Sequence, residues 1–316
     1  HVVCGEETLS FYGKLSDLEK RLPHGFVRIH NRYIVNADWV ERVNGNRVIT
    51  EGRELPVSRS MKQEAVSALA RLILEKRKGG FGMNQLEQAQ AYLMGKPLEY
   101  VDMLEPIRRG MVEVTACRKD GVLLYNIPGE LYMLAADSLE AAKELCRGVD
   151  SMDLAVAHSR EAGEYLAQRY GIPKCQPCTQ AVYVGKDPLP EDSTFEIRTL
   201  GQEFFQIVLD TYHSFSDPKY IRNRLAAGVM QGAFRDGQLA GFIGMHAEGS
   251  VGLLEVLPAF RRQGVATVLM NHMVNRFLAQ GWIPFSQIWE GNEASFALHR
   301  RVGWTFCQEP LFWAMD

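Results

Sequence analysis

The run Leu253-Leu254-Glu255-Val256-Leu257-Pro258-Ala259-Phe260-Arg261-Arg262-Gln263-Gly264-Val265-Ala266-Thr267 constrains this chain more than any other. An apolar, strand-like segment stops at a proline, and a basic turn with one glycine follows. From Val265 the apolar residues Leu269, Met273, Val274, Phe277 and Leu278 fall on one helical stripe. Gly281 stands where that helix should stop. Strand, tight turn and helix start make an anion site. The first amides of a helix have no acceptor within it, its dipole is positive there, and a glycine lets backbone approach a phosphate. Arg261 and Arg262 read equally well as a solvated surface pair, so the turn needs a second feature to give it meaning.

That feature is Asn292-Glu293-Ala294-Ser295-Phe296-Ala297-Leu298-His299-Arg300-Arg301-Val302-Gly303-Trp304, about thirty residues on. Together, Arg261-x-x-Gly264-x-Ala266 and this segment resemble the GNAT superfamily of acyl-CoA-dependent N-acyltransferases. The resemblance implies that acetyl-CoA, or another acyl-CoA, is the co-substrate. Its pyrophosphate would be held by the turn Arg261, Arg262, Gln263, Gly264, Val265, Ala266 and Thr267. Its pantetheine arm would pair with Glu255, Val256 and Leu257, and Asn292 and His299 would complete the coenzyme site. The family's usual residue at position 299 is a tyrosine that protonates the departing thiolate; here His299 stands there, and histidine can also donate a proton. Asn292 is at the same time a good helix N-cap, and His299 alone would read as an ordinary helix residue.

A reaction of this type is attack of a neutral amine on a thioester, so a base is needed. The strand ends near the cleft offer Glu255, Glu248 and His246. Glu255, inside the coenzyme strand, is the first choice; it reads equally well as a surface carboxylate, and a water relay is the remaining option. Tyr212, His213 and Tyr220 fall where the family covers its acceptor. Ala233-Phe234-Arg235 and Leu239–Gly244 flank Asp236-Gly237 as a hairpin.

Ahead of this region the chain changes character. Phe26-Val27-Arg28-Ile29-His30-Asn31-Arg32-Tyr33-Ile34-Val35-Asn36, with Leu55-Pro56-Val57-Ser58-Arg59, resembles the LytTR family of DNA-binding domains over roughly residues 5–75. The resemblance implies double-stranded DNA as a partner, with Asn31 and Arg59 reading bases. Arg28, Arg32 and Lys62 would meet phosphates. Asparagine and arginine can pair bidentately with adenine and guanine. The family domain carries about three strands ahead of the point where residue 1 falls, so the resemblance implies a region lacking them, with an unpaired edge. The alternative is that Asn31 and Arg59 are turn residues of a vestigial domain. Charge gives a weak parallel hint: residues 1–80 hold 14 Lys+Arg against 10 Asp+Glu, a net of +4. The remainder holds 21 against 28, a net of −7.

Between these regions, residues 111–185 alternate strands and helices like half of a GNAT fold. Strands are expected at Met111–Ala116, Gly121–Tyr125, Leu131–Leu134, Leu154–Ala157 and Ala181–Val184. Helices should open at Asp137-Ser138 and run from Glu161 to Tyr170. The first of these helices has no Arg-x-x-Gly-x-Ala and an acid where a phosphate would sit, which disfavours coenzyme. The expected fold class is α+β: a mostly-β region over 1–78, a degenerate GNAT-like domain over 83–187, and a coenzyme-binding domain over 193–316. Lys76-Arg77-Lys78-Gly79-Gly80-Phe81-Gly82 and Pro188-Leu189-Pro190-Glu191-Asp192 are the separators.

Cys175-Gln-Pro-Cys178 has half-zinc or redox spacing, but no second close pair exists, so two reduced thiols and no metal are expected. No apolar run reaches the ~18 residues of a membrane helix and no secretory signal opens the chain, so no membrane partner and a cytoplasmic location are expected. A homodimer is left open. The functional reading is an N-acyltransferase acting on an amine, fused to a transcription-regulator module. A regulator whose GNAT body only senses acyl-CoA, and an acyltransferase with a silent N-terminal region, stand as alternatives.

Overall fold

The computed structural model describes the chain outside residues 1, 5–6, 10–14, 16, 18–21, 23–25, 45–46, 51–52, 59–60, 63–64, 70–83 and 213–216. It divides into two compact units, His1–Asn84 and Gln85–Asp316. The expected linker at 76–82, Arg59 and His213 lie outside the described residues.

In the first unit, β1 (Val2–Cys4) pairs antiparallel with β2 (Glu7–Leu9), and β3 (Phe26–His30) with β4 (Tyr33–Asn36). A three-stranded antiparallel sheet follows, built from β5 (Val40–Asn44), β6 (Arg47–Thr50) and β7 (Arg53–Pro56). The period-two pattern explains the core: Val27 and Ile29 of β3 face inward and pack with Val35, Val48 and Val57. Ala65 and Leu69, one helical turn apart, close that core. The Ser58 N–H donates to the Ile29 carbonyl at 2.8 Å and ties the end of β7 to β3.

The second unit opens with two helices, α1 (Gln85–Leu93) and α2 (Val101–Arg108). The antiparallel meander β8 (Val112–Arg118), β9 (Gly121–Asn126), β10 (Leu131–Ala136) follows. Helix α3 (Leu139–Leu145) leads to β11 (Ala155–Ala157), parallel to β10, and α4 (Arg160–Tyr170) leads to β12 (Lys174–Val182). The second half repeats the theme. It contains β13 (Glu196–Thr199), α5 (Phe205–Thr211), α6 (Pro218–Ala226), β14 (Gln231–Arg235), β15 (Gln238–Met245) and β16 (Val251–Val256). Then come α7 (Val265–Ala279), β17 (Phe285–Trp289), α8 (Glu293–Val302), β18 (Thr305–Phe306) and β19 (Leu311–Met315).

The halves are not two sheets side by side. One eight-stranded sheet runs β17-β12-β19-β11-β10-β9-β8, with β18 also on β12. The last strand of the chain therefore sits between β11 and β12 of the first half, and β12 sits between β17 and β19 of the second. The segment at 188–192, expected as a separator, lies on α7. Asn275 bonds both the Leu189 N–H (2.7 Å) and its carbonyl (2.9 Å), and Asn271 donates to the Pro190 carbonyl at 2.9 Å. The strand expected at 181–184 is longer and earlier, 174–182. The polar residues Lys174, Gln176 and Thr179 hide it from an apolar count.

A buried ionic cluster fastens the halves together. Arg109 lies with its guanidinium 4.2 Å from the Trp282 ring and 5.0 Å from Phe277. It bonds Glu105 at 3.2 Å and the Gly249 carbonyl at 3.2 Å. Glu105 also accepts from Arg108 (2.6 Å) and from the Ile283 N–H (3.1 Å).

Candidate functional site

The remaining sheet, β13-β14-β15-β16, ends at β16. Among the described residues no strand pairs with the outer edge of β16, so its backbone groups face open space. Leu253, within β16, has φ of +52°, and the β15–β16 register shifts between Phe242 and Gly244. A leucine in that region is costly and marks a bulge that bends the strand. Beyond it a cavity of about 470 Å³ lies between β16 and β17, walled by Val251–Val256, Ser286–Trp289, Met270, Leu298 and His299. The first half lends Gly129, Leu131 and Leu154, and the exchanged β19 lends Trp313.

A second space of about 250 Å³ shares Val256, Ala266, Ala294 and Leu298 with the first, and is lined by Arg261, Arg262, Gly264, Val265 and Thr267. Gly264 caps α7 with φ of +87°, and Arg262 is at +62°. The Thr267 and Val268 amides turn back to the Gly264 carbonyl, so the amides before them have no acceptor inside the helix. A Cβ at Gly264 would meet no atom within 4 Å; what the position asks of its residue is the left-handed dihedral. The loop and the open strand edge fit an elongated ligand with an anion at one end. From Val256 to Val251 the strand covers about 17 Å at ~3.3 Å per residue, so the far end of such a ligand would fall by Val251–Leu253.

The sequence-predicted residues distribute along this line. Glu255 is tied to the loop end: Arg261 donates to its carboxylate at 3.4 Å and to the Val256 carbonyl at 3.2 Å. Gln263 accepts from Arg235. Asn292 caps α8, accepting from the Ser295 N–H at 3.1 Å. His299 is 2 % exposed, edge-on to Trp304 at 4.8 Å between centroids, with Nδ1 2.8 Å from the Ser295 carbonyl. That contact fixes the proton on Nδ1, because a carbonyl only accepts. Nε2 is then a bare acceptor, buried and without a hydrogen-bond partner among the described residues, and burial pushes the imidazole below its ordinary value. A neutral ring in this tautomer has no proton to give at Nε2.

His246 and Glu248 occupy the opposite end. His246 Nδ1 is 2.7 Å from Tyr220 Oη, which also accepts the Ala247 N–H at 3.2 Å. The other ring nitrogen lies against Gly252, where a Cβ would come within 2.3 Å of it. Gly252 therefore makes room for the imidazole on the cavity strand. Burial lowers the His246 pKa, Glu248 opposes the shift and Arg224 adds to it. Burial likewise pushes the Tyr220 hydroxyl far up, so it stays protonated. Glu248 is 7 % exposed and accepts from the Ser250 hydroxyl.

The corresponding helix start in the first half is closed. Ser138 caps α3 through the Ala141 N–H, and Asp137 accepts from Tyr92 Oη at 2.8 Å. Beside it β10 and β11 are hydrogen-bonded, so no strand edge is free there. Cys175 and Cys178 are free thiols three positions apart on β12, hence on opposite faces. Among the described residues no group of three or more His, Cys, Asp or Glu gathers as a metal site would need. None of the described helices is long and apolar enough to cross a membrane.

In the first unit Asn31 and Arg32 are exposed at the β3–β4 turn, where the Arg32 N–H donates to His30 Nδ1 at 3.2 Å. Arg28 is half-buried on β3, and Lys62 is exposed ahead of Ala65.

Residues 1–70 match the model of the LytTr DNA-binding domain, and residues 195–304 match that of the acetyltransferase (GNAT) family. The chain thus carries a LytTR domain at its N-terminus and a GNAT acetyltransferase domain in its last third. No curated protein matches it. Among solved structures it is similar to a Drosophila protein at 16 % identity and TM-score 0.51, over 73 % of this chain and 95 % of that one. A GCN5-related N-acetyltransferase-like protein from Streptococcus suis has 12 % identity and TM-score 0.46, over 74 % and 100 %. A tandem GNAT protein from the clavulanic acid biosynthesis pathway has 16 % identity and TM-score 0.37, over 73 % and 95 %. The fold is α+β, with a β-rich N-terminal region and GNAT-like mixed sheets after it.

Proposed function

We propose that Gln85–Asp316 transfers an acetyl or other acyl group from coenzyme A to an amine, and that the N-terminal unit binds duplex DNA. The observation that carries the first part is the open edge of β16, running from the Gly264 loop to His246. In this reading the loop amides, Arg261 and Arg262 hold the pyrophosphate, and Val256 to Leu253 pair with the pantetheine arm. The amine nitrogen attacks the thioester carbon, the C–N bond forms and the C–S bond breaks. His246 takes a proton from the nitrogen, its Nδ1–H bonding Tyr220 so that Nε2 is free to accept. The departing thiolate ends protonated as the free thiol. Glu255 serves the loop through Arg261 instead of acting as the base.

The test is release of free thiol from acetyl-CoA in the presence of a primary alkylamine. Thiol release is expected in the wild type. Gly264→Val should raise the acetyl-CoA Kd at least about tenfold, because a β-branched residue at that φ costs 1–2 kcal/mol or more and reshapes the loop. Tight acetyl-CoA binding with no turnover on any amine would favour an acyl-CoA sensor. Unchanged affinity in Gly264→Val would refute the assignment of the loop.

For the N-terminal unit, the support is the LytTr match and the exposed Asn31, Arg32 and Lys62. Affinity for a DNA duplex should fall steeply with salt, log K dropping by ~0.9 per contacted phosphate for each tenfold rise. Binding indifferent to salt would exclude this role. Both proposed ligands belong to the cytoplasm.

A further inference from the structure

Glu248 is a buried carboxylate at the acceptor end of the cavity, and among the described residues no lysine or arginine forms an ion pair with it. Its one described side-chain partner is the Ser250 hydroxyl, and its own main-chain carbonyl is held by Asn126 at 3.4 Å. A buried carboxylate is expensive unless a cation meets it. Of the groups around His246, Tyr220 is a neutral phenol, burial favours the neutral form of His246, and the buried Arg224 forms no ion pair with Glu248 among the described residues. Glu255, the other carboxylate on this cavity, is already engaged by Arg261. One acid is therefore left for a ligand.

Apolar side chains line the same cavity. A Cβ at Gly129 would meet a Leu131 methyl at 2.8 Å, the Asn126 Oδ1 at 3.0 Å and the Glu248 Cβ at 3.3 Å, so Gly129 lets the root of the Glu248 side chain come close to Leu131. Leu131 belongs to the core cluster that carries Leu154, Trp289 and Trp313, whose two indoles stand edge to face with centroids 6.4 Å apart. The whole cavity is about 470 Å³ and must also hold the pantetheine arm.

We propose that the acceptor is a small primary monoammonium ion on an apolar body, its charge seated on Glu248 and its body against Leu131, Leu154, Trp289 and Trp313. This rests on the acyltransfer reading. The ammonium loses two protons on its way to the amide: one goes to His246 and on to solvent, and the other leaves on attack and ends on the sulfur. A single free carboxylate selects against polyamines, and the shared volume selects against large acceptors.

The experiment uses the full chain with acetyl-CoA at pH 7 and four probes. They are phenethylamine (cationic, apolar), aniline (neutral, apolar), spermidine (polycationic) and a lysine-containing hexapeptide. Thiol release is measured for each, and binding of phenethylamine in the presence of free coenzyme A is measured by calorimetry. Phenethylamine is expected to have the highest kcat/KM. In Glu248→Gln its KM and its Kd should both rise about 10- to 150-fold, the value of a hydrogen bond to a charged partner. Glu248→Asp should fall between. Acetyl-CoA affinity in both variants, expected within about twofold of wild type, reports that they are folded. A preference for aniline, spermidine or the peptide, or a phenethylamine Kd unmoved in folded Glu248→Gln, overturns the assignment. If acetyl-CoA binds and no probe is turned over, the acyltransfer reading fails on its own, and the calorimetric comparison still decides the role of Glu248.

Discussion

Replacing His246 by glutamine is expected to lower kcat by roughly 10²–10⁴-fold, the range that positioned acid–base groups contribute. The pH profile makes the test specific. His246 works as a base only when neutral, so activity is present above its pKa and lost as pH falls through it. Three groups face the ring: Tyr220, Glu248 and Arg224. Burial lowers the pKa and Arg224 helps, while Glu248 resists. The acid limb of kcat should therefore sit below the ordinary imidazole value of ~6.5, and should vanish in His246→Gln. A limb that persists in the variant would assign the titration to another group. A kcat within threefold of wild type would remove His246 from the chemistry.

Replacing Arg109 by alanine is expected to cost about 3–5 kcal/mol, because one member of a buried ion pair is removed and the other stays. Arg109 is 4 % exposed at its side chain, and Glu105 is 3 %. Arg108 still reaches Glu105, which holds the loss toward the lower figure. Stacking on Trp282 and Phe277 is also lost, as is the bond to the Gly249 carbonyl, which steadies the turn next to Glu248. At 2–4 °C per kcal/mol the melting temperature should drop by about 6–20 °C. Thermal unfolding by circular dichroism measures it. A shift under about 3 °C would mean that the cluster does not fasten the halves. The double variant Glu105→Leu with Arg109→Met should recover much of the loss, since apolar replacement of a whole buried pair is often neutral.

How far these features can be read from the chain differs with their range. The loop and helix of the proposed coenzyme site are local, and Gly264, the stripe from Leu269 to Leu278 and Gly281 mark them in order. The structure has that helix over Val265–Ala279, with Gly281 at φ +68°. The hairpin at Asp236-Gly237 is legible for the same reason, both residues taking positive φ. What was not legible depends on distance. Leu311–Ala314 reads as a closing strand, but nothing in it names β11 and β12 as its partners. Trp313, Leu131 and Gly129 reach the cavity only through that pairing. The buried pair of His158 and Asp102, 3.2 Å apart, links residues 56 positions away from each other and has no local signature. Glu255 reads as a base from its place in the strand before the loop; its contact with Arg261 depends on how the turn folds back. The sequence offers His299 as a proton donor, and the Ser295 carbonyl one turn earlier decides which nitrogen carries the proton.

The exchange of β12 and β19 has a consequence for how such a protein can change over time. The first half has no counterpart of the Gly264 loop, yet the second half cannot close without it. Deleting it would take away the strand on which β17 and β18 depend and leave β19 without either neighbour. The reverse truncation would open a gap between β11 and β12. Each half is thus a template for the other, and neither can be removed without unmaking the sheet of its neighbour. Two separately expressed fragments, cut in the 183–195 segment, would be obliged to find each other before either could close its sheet.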